Sequence, residues 1–226
     1  MKKLAFIAAL TSVTVLPMLA QAESTFVSPA SNTAGSNTAT ARLDFKIVIP
    51  QVLFLRVGNS SGNTVTDGSV NLLSFTVPSV NVGDGTVITG TGGDISPLTS
   101  AAVTVRAYGN GGNITLNSNV TGPLLNAVGG DTIPWSQIVV VAAPLPAAVA
   151  SPTTQGFTNT AITHPTFNTA TAGGAGAGTT LSATGKVVRV EGMWTYTYAN
   201  SAAVAAGTYG ETITKNGRVT YTAVQL

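Results

Sequence analysis

The sequence predicts an antiparallel all-β fold, a sandwich of roughly ten short strands. Three observations carry this. Apolar and polar residues alternate with period two, most clearly at Leu43, Phe45, Ile47 and Ile49 and again at Val188, Val190, Trp194, Tyr196 and Tyr198. Between such runs lie clusters of Gly, Asn, Asp and Pro, the residues that set turns; the chain has 25 glycines and 11 prolines to supply them. Strand-favouring Thr and Val are abundant, and no segment carries the apolar period of a surface helix.

The first element reads as an export signal. Lys2 and Lys3 precede an apolar stretch from Leu4 to Leu16, Pro17 ends it, and Ala20-Gln21-Ala22 offers small residues to a signal peptidase. This is the three-part organisation of a secretory signal over residues 1–22, cleaved after Ala22. The stretch is too short to remain as a membrane span. The expected product is exported by a bacterium to the periplasm, the cell surface or the medium, with no membrane span after cleavage.

Cleavage changes the charge balance. Ten Lys and Arg residues fall to eight once Lys2 and Lys3 are removed, against eight Asp and Glu, so the pI of about 9.0 belongs to the precursor. A neutral chain without a basic patch excludes nucleic acid as a partner, and it has little charge repulsion to oppose self-association. Cysteine is absent, so the fold is disulfide-free and depends on core burial and ladder hydrogen bonds.

Residues 23–40 are small and polar and read as a flexible N-terminal arm. A half-buried strand is expected from Ala41, with Leu43, Phe45, Ile47 and Ile49 on one face and Arg42, Asp44 and Lys46 on the other. Pro50 interrupts it, and 52–57 reads as a strand buried on both faces. Further strands are expected at 70–77, ended by Pro78, and at 86–89 between glycine-rich turns. Residues 102–108 and 114–118 are expected to form a hairpin around Gly109-Asn110-Gly111-Gly112-Asn113, followed by a strand at 133–141. Residues 142–185 form a long Ala, Gly and Pro-rich excursion, unusual inside a compact domain, with Phe157, Ile162 and Phe167 as its candidate anchors. The run from Lys186 to Ala199 predicts one strand on the order of 40 Å long, with Gly192 as the site of a bulge. Asn216-Gly217 predicts a hairpin joining 208–214 to 218–224. The sandwich domain is thus expected to span residues 41–226.

Chemistry enters mainly by what is missing. His164 is the sole histidine; with no G-x-S-x-G motif it reads as an exposed loop residue rather than a triad member. One histidine and no cysteine leave almost no ligands for zinc or copper. Most carboxylates sit in glycine-rich turns, where Asp is favoured by turn geometry alone, and Gly90 to Asp94 matches a calcium β-roll repeat only loosely and once. No catalytic, cofactor or metal residues are assigned, and a non-enzymatic protein is expected. The stripe of Trp194, Tyr196 and Tyr198 offers two readings, the core face of a long strand or an exposed platform for stacking sugar rings. A small outer-membrane barrel shares the export signal and the alternation, but it requires aromatic girdles that a 6% aromatic content does not supply.

Two segments resemble the pilin domains of bacterial fimbriae of the spore-coat-U-like and chaperone–usher types. Ala206-Gly207-Thr208-Tyr209-Gly210-Glu211-Thr212-Ile213-Thr214 is similar to their A-G-x-Y-x-D-x-(V/I)-x pattern, and Ile133-Pro134-Trp135-Ser136 to their hydrophobic-Pro-aromatic step. Those domains usually carry a disulfide, which this chain lacks. The resemblance implies an immunoglobulin-like sandwich and a role at the cell surface. The leading expectation is a fimbria-like structural subunit or adhesin that assembles through β-strand edges with itself or other surface proteins, using Leu43, Phe45, Ile47 and Ile49 as the exchangeable strand. A carbohydrate-binding module built on Trp194, Tyr196 and Tyr198 is the alternative.

Overall fold

A computed structural model describes residues 24–28, 38–59, 68–95, 100–151 and 155–225. The export signal expected over residues 1–22 lies outside them, as do residues 29–37 of the arm. The chain divides into two units, Met1–Ile49 and Pro50–Leu226. The second unit carries every described strand: β1 (Leu53–Val57), β2 (Ile88–Thr89), β3 (Ala102–Gly109), β4 (Ile114–Val120), β5 (Leu124–Leu125), β6 (Thr132–Ile133), β7 (Ile138–Ala143), β8 (Thr158–Asn159), β9 (Gly174–Ala175), β10 (Thr179–Leu181), β11 (Val188–Tyr198) and β12 (Val219–Gln225). Among the described residues the helical elements are single 3-10 turns, and no helix is long and apolar enough to cross a membrane.

The strands form two main sheets, almost wholly antiparallel. β11 is the centre of the larger one. It pairs with β3 from Val188 to Thr195 and with β7 from Met193 to Tyr198. Because Thr197 and Tyr198 pair with both β2 and β7, those two strands flank opposite edges of β11; β1 then adds outside β3. The parallel contact of β8 with β11 is confined to Val190 and Glu191. In the smaller sheet β4 is central, with β12 on one edge and β9 and β10 on the other.

The two sheets share one core. Val103, Val105 and Ala107 of β3 and Trp194 and Tyr196 of β11 pack with Ile114 and Leu116 of β4, and Tyr221 and Ala223 of β12 close around them. The β4 sequence shows why it lies here: Ile114, Leu116, Ser118 and Val120 alternate with polar residues, so one face is buried and the other is not. Ser118 is tolerated inside because its hydroxyl donates to the Thr166 carbonyl at 2.7 Å.

The expected hairpin at 102–118 forms as two strands that separate. β3 joins the larger sheet and β4 the smaller, and the glycine-rich turn carries the chain across the core between them. The apolar faces of both strands are satisfied by packing face to face rather than side by side. The run at 70–77 keeps its alternation, with Leu73, Phe75 and Val77 turned to the core, but its ladder is the single bridge from Ser74 to Thr91. The hairpin expected at Asn216-Gly217 is likewise absent. Asn216 takes the left-handed conformation the pair suggested (φ 56°), yet there it caps the 3-10 turn Ile213–Lys215. β12 pairs along its full length with β4, and Tyr209 instead bridges Asn126.

The described residues of the 142–185 excursion fall into two parts. Its first part covers the outer face of the larger sheet, where Leu145, Val149 and Ala150 pack on Ile95, Ala102 and Met193. Beneath this cover Arg106 and Glu191 form an ion pair at 2.8 Å, with side-chain exposures of 7% and 1%. Phe157 stacks on the Arg189 guanidinium, which also lies over Tyr108. The second part crosses to the smaller sheet and supplies β9 and β10. Its low-complexity glycines have a steric reason: a Cβ at Gly176 would overlap the Thr166 carbonyl. Gly192 makes no bulge, since its pairing with β3 runs unbroken; its missing side chain lets the Thr160 carbonyl approach β11.

Candidate assembly site

The strand expected from Ala41 does not form. Residues 41–49 have no strand structure, and β1 begins only at Leu53. A strand exists through its ladder partner, and none of the described strands pairs with this segment. Its four alternating apolar residues are left in solvent: Leu43 is 71% exposed, Phe45 88%, Ile47 83% and Ile49 76%. The chain just before it is fixed locally by Thr25, whose hydroxyl donates to the Thr40 carbonyl at 2.7 Å.

Four such residues in one unpaired stretch are unlike scattered surface apolar residues, which need no explanation. The stretch also keeps backbone donors and acceptors that no ladder uses. Alternating apolar residues that lie outside every described ladder are what strand addition to a sheet edge uses.

Among the described residues, β7 has a ladder on one side only, with β11, and β12 on one side only, with β4; β12 also lies against β1 of the other sheet. Beside β7 lies an open cleft of about 260 Å³, lined by Trp135, Ile138, Val140, His164 and Phe167 together with the hydroxyl residues Ser136, Thr166 and Thr169. A smaller cleft of about 230 Å³ lies between residues 160–163 and β10 and carries mostly hydroxyl groups.

The wall of the β7 cleft is an aromatic cluster that the sequence did not reveal. His164 is packed edge-on against Phe167, Trp194, Tyr196 and Tyr221, with ring centroids 4.6 to 5.9 Å apart. It is therefore a wall residue rather than an exposed loop histidine. Its Nε2 lies 2.7 Å from the Tyr221 hydroxyl, which is 2.9 Å from that of Tyr196. Burial pushes both phenols up, so they remain neutral. The signal in the sequence was weak: the Thr-Pro-rich surroundings of His164 resemble a loop, and only tertiary packing brings Tyr221 to it.

Burial of the imidazole lowers its pKa from 6.5 to about 4, outweighing an opposing backbone hydrogen bond. The neutral ring is the folded form, and the unfolded chain takes up the proton first. Stability from this group is complete above pH 6.5 and is lost as pH falls towards 4. The expected loss over that window is about 2–3 kcal/mol. Denaturant titrations at pH 7 and pH 4.5 measure it, and His164→Gln should give a flatter dependence.

Trp194, Tyr196 and Tyr198 do not form a platform. They are 0%, 5% and 5% exposed, and the Trp194 indole donates to the buried Ile162 carbonyl at 2.6 Å. The residues flanking them on β11 pair with β3 and β7 on both edges, so their face is the inner one and no sugar can stack on it. Of the anchors expected in the excursion, Ile162 is buried in the core and Phe167 packs against it.

Asp94 and Asp84 are held by neighbouring groups. Asp94, in the calcium-like stretch, pairs with Arg56 at 2.9 Å and accepts the Thr104 amide at 2.7 Å. Asp84 accepts from Asn81 and the Thr86 amide, which hold its carboxyl below the usual range. Among the described residues no group of three His, Asp or Glu side chains could hold a metal ion. No protein-family model, curated protein or solved structure matches this chain.

Proposed function

We propose that this chain is an exported structural subunit with an immunoglobulin-like sandwich, which assembles at the bacterial surface by β-strand addition rather than acting as an enzyme. The segment from Ala41 to Ile49 is the donated strand. The observation that carries the reading is the exposure of Leu43, Phe45, Ile47 and Ile49 in a stretch without a ladder. Alternating apolar side chains supply register and backbone hydrogen bonds supply affinity.

The energies are of a workable size. Burying the four side chains is worth about 6–12 kcal/mol, against an association cost of about 4–15 kcal/mol. Apolar burial alone therefore sits near balance, and the ladder bonds decide whether the assembly is stable. The neutral surface adds no opposing repulsion.

Light scattering across a concentration series, with electron microscopy of the concentrated protein, tests the proposal. Growth of the mean mass with concentration, and linear assemblies in the images, are expected. A chain that stays monomeric at the highest attainable concentration and forms no filaments contradicts it.

A further inference from the structure

We infer that the acceptor of the donated strand is the free edge of β7 together with the cleft beside it, on a second copy of the chain. This rests on the strand-addition reading above and names the surface that completes it.

The sandwich has two flanks, and they differ. On one flank β1 of the larger sheet lies against β12 of the smaller. There the Gln51 and Gln225 amides meet at 3.2 Å, and the Asn110 side chain bonds to both Pro50 and Val52. That flank is already closed. The other flank is bounded by β7 and β8 of the larger sheet and by β9 and β10 of the smaller, and β7 and β10 each line one of the two clefts. β10 has three residues against the six of β7. Five of the nine residues lining its cleft carry hydroxyls, the rest being Ala161, Ile162, Leu181 and Val190, against three of eight beside β7, so the β7 cleft is the better match for Leu43 and Phe45.

β7 matches on every count. It has six residues, Ile-Val-Val-Val-Ala-Ala, with no charge and no proline. Natural edge strands are usually protected by such features, and this one has none. Ile138 and Val140 face the core side, where the cleft would receive apolar side chains, while Val139 and Val141 are exposed on the outer side. A strand added beside β7 would place Leu43, Phe45, Ile47 and Ile49 on the side of Ile138 and Val140. Its outward residues would be Asp44, Lys46 and Val48, alongside Val139 and Val141. The 260 Å³ cleft has room for a side chain the size of Phe45.

The natural absence of cysteine makes the test direct. Full-length Lys46→Cys chains are mixed under mild oxidation with mass-tagged chains carrying Val139→Cys or Val141→Cys on β7, or Thr220→Cys or Thr222→Cys on β12. All five positions are exposed, so folding is not at stake. The expected result is a mixed disulfide dimer with at least one β7 variant and none with the β12 variants. Dimers with the β12 variants alone overturn the β7 assignment while leaving strand addition standing. No mixed dimer with either edge, in protein that also fails to assemble by light scattering, overturns both.

Discussion

Replacing Phe45 and Ile47 together by Asp is expected to abolish self-association while leaving the unfolding midpoint of the sandwich unchanged. The two side chains are 88% and 83% exposed within one chain, outside the unit that contains every described strand. Their loss therefore costs the monomer nothing. In an assembly both would be buried. Removing that burial alone forfeits about 3–6 kcal/mol, a factor of roughly 10² to 10⁴ in the association constant. The added carboxylates increase the effect, since an unpaired charge is expelled from an apolar site. Sedimentation velocity measures the association, and a denaturant titration of the same sample measures the fold.

The opposite separation is expected for Glu191→Ala, which should destabilise the sandwich by about 3–5 kcal/mol. Glu191 is 1% exposed and accepts from the Arg106 guanidinium at 2.8 Å, from the Ser151 amide at 2.7 Å and from the Ser151 hydroxyl at 2.6 Å. Removing the carboxylate leaves the guanidinium without its counter-charge under the 144–151 cover, and frees that cover from the sheet. The penalty comes from the broken pair rather than from the pair's intrinsic worth. Arg106→Met combined with Glu191→Leu, which removes both charges and keeps the volume, should restore most of the lost stability. Thermal or denaturant unfolding of the single and double variants distinguishes the two contributions.

The β character and the inward faces were legible because side-chain alternation is local. Val188 to Tyr198 reads as one strand and folds as one, and β4 shows its buried face in four residues. Partner choice was not legible. The Gly109 to Asn113 and Asn216-Gly217 turns both have hairpin chemistry, yet neither joins paired strands, because β4 pairs with β12 and the crossing of the core outweighs local preference. Gly192 looked like a bulge because a missing side chain has the same sequence signature as close approach by another backbone. The clustering of His164 with Tyr196 and Tyr221 joins residues far apart in the chain, and no spacing rule connects them. The Leu43 to Ile49 alternation was read as a half-buried strand, and the structure leaves it without a ladder and exposed. Alternation specifies that a face must be covered and says nothing about which chain covers it.

Hydrogen exchange at the backbone amides of residues 41–49, compared between dilute and concentrated protein, measures that question directly. Rapid exchange in dilute solution and protection that grows with concentration, together with protection in β7, is the predicted result. Exchange that stays rapid at every concentration, or protection already complete in the dilute monomer, would contradict the account.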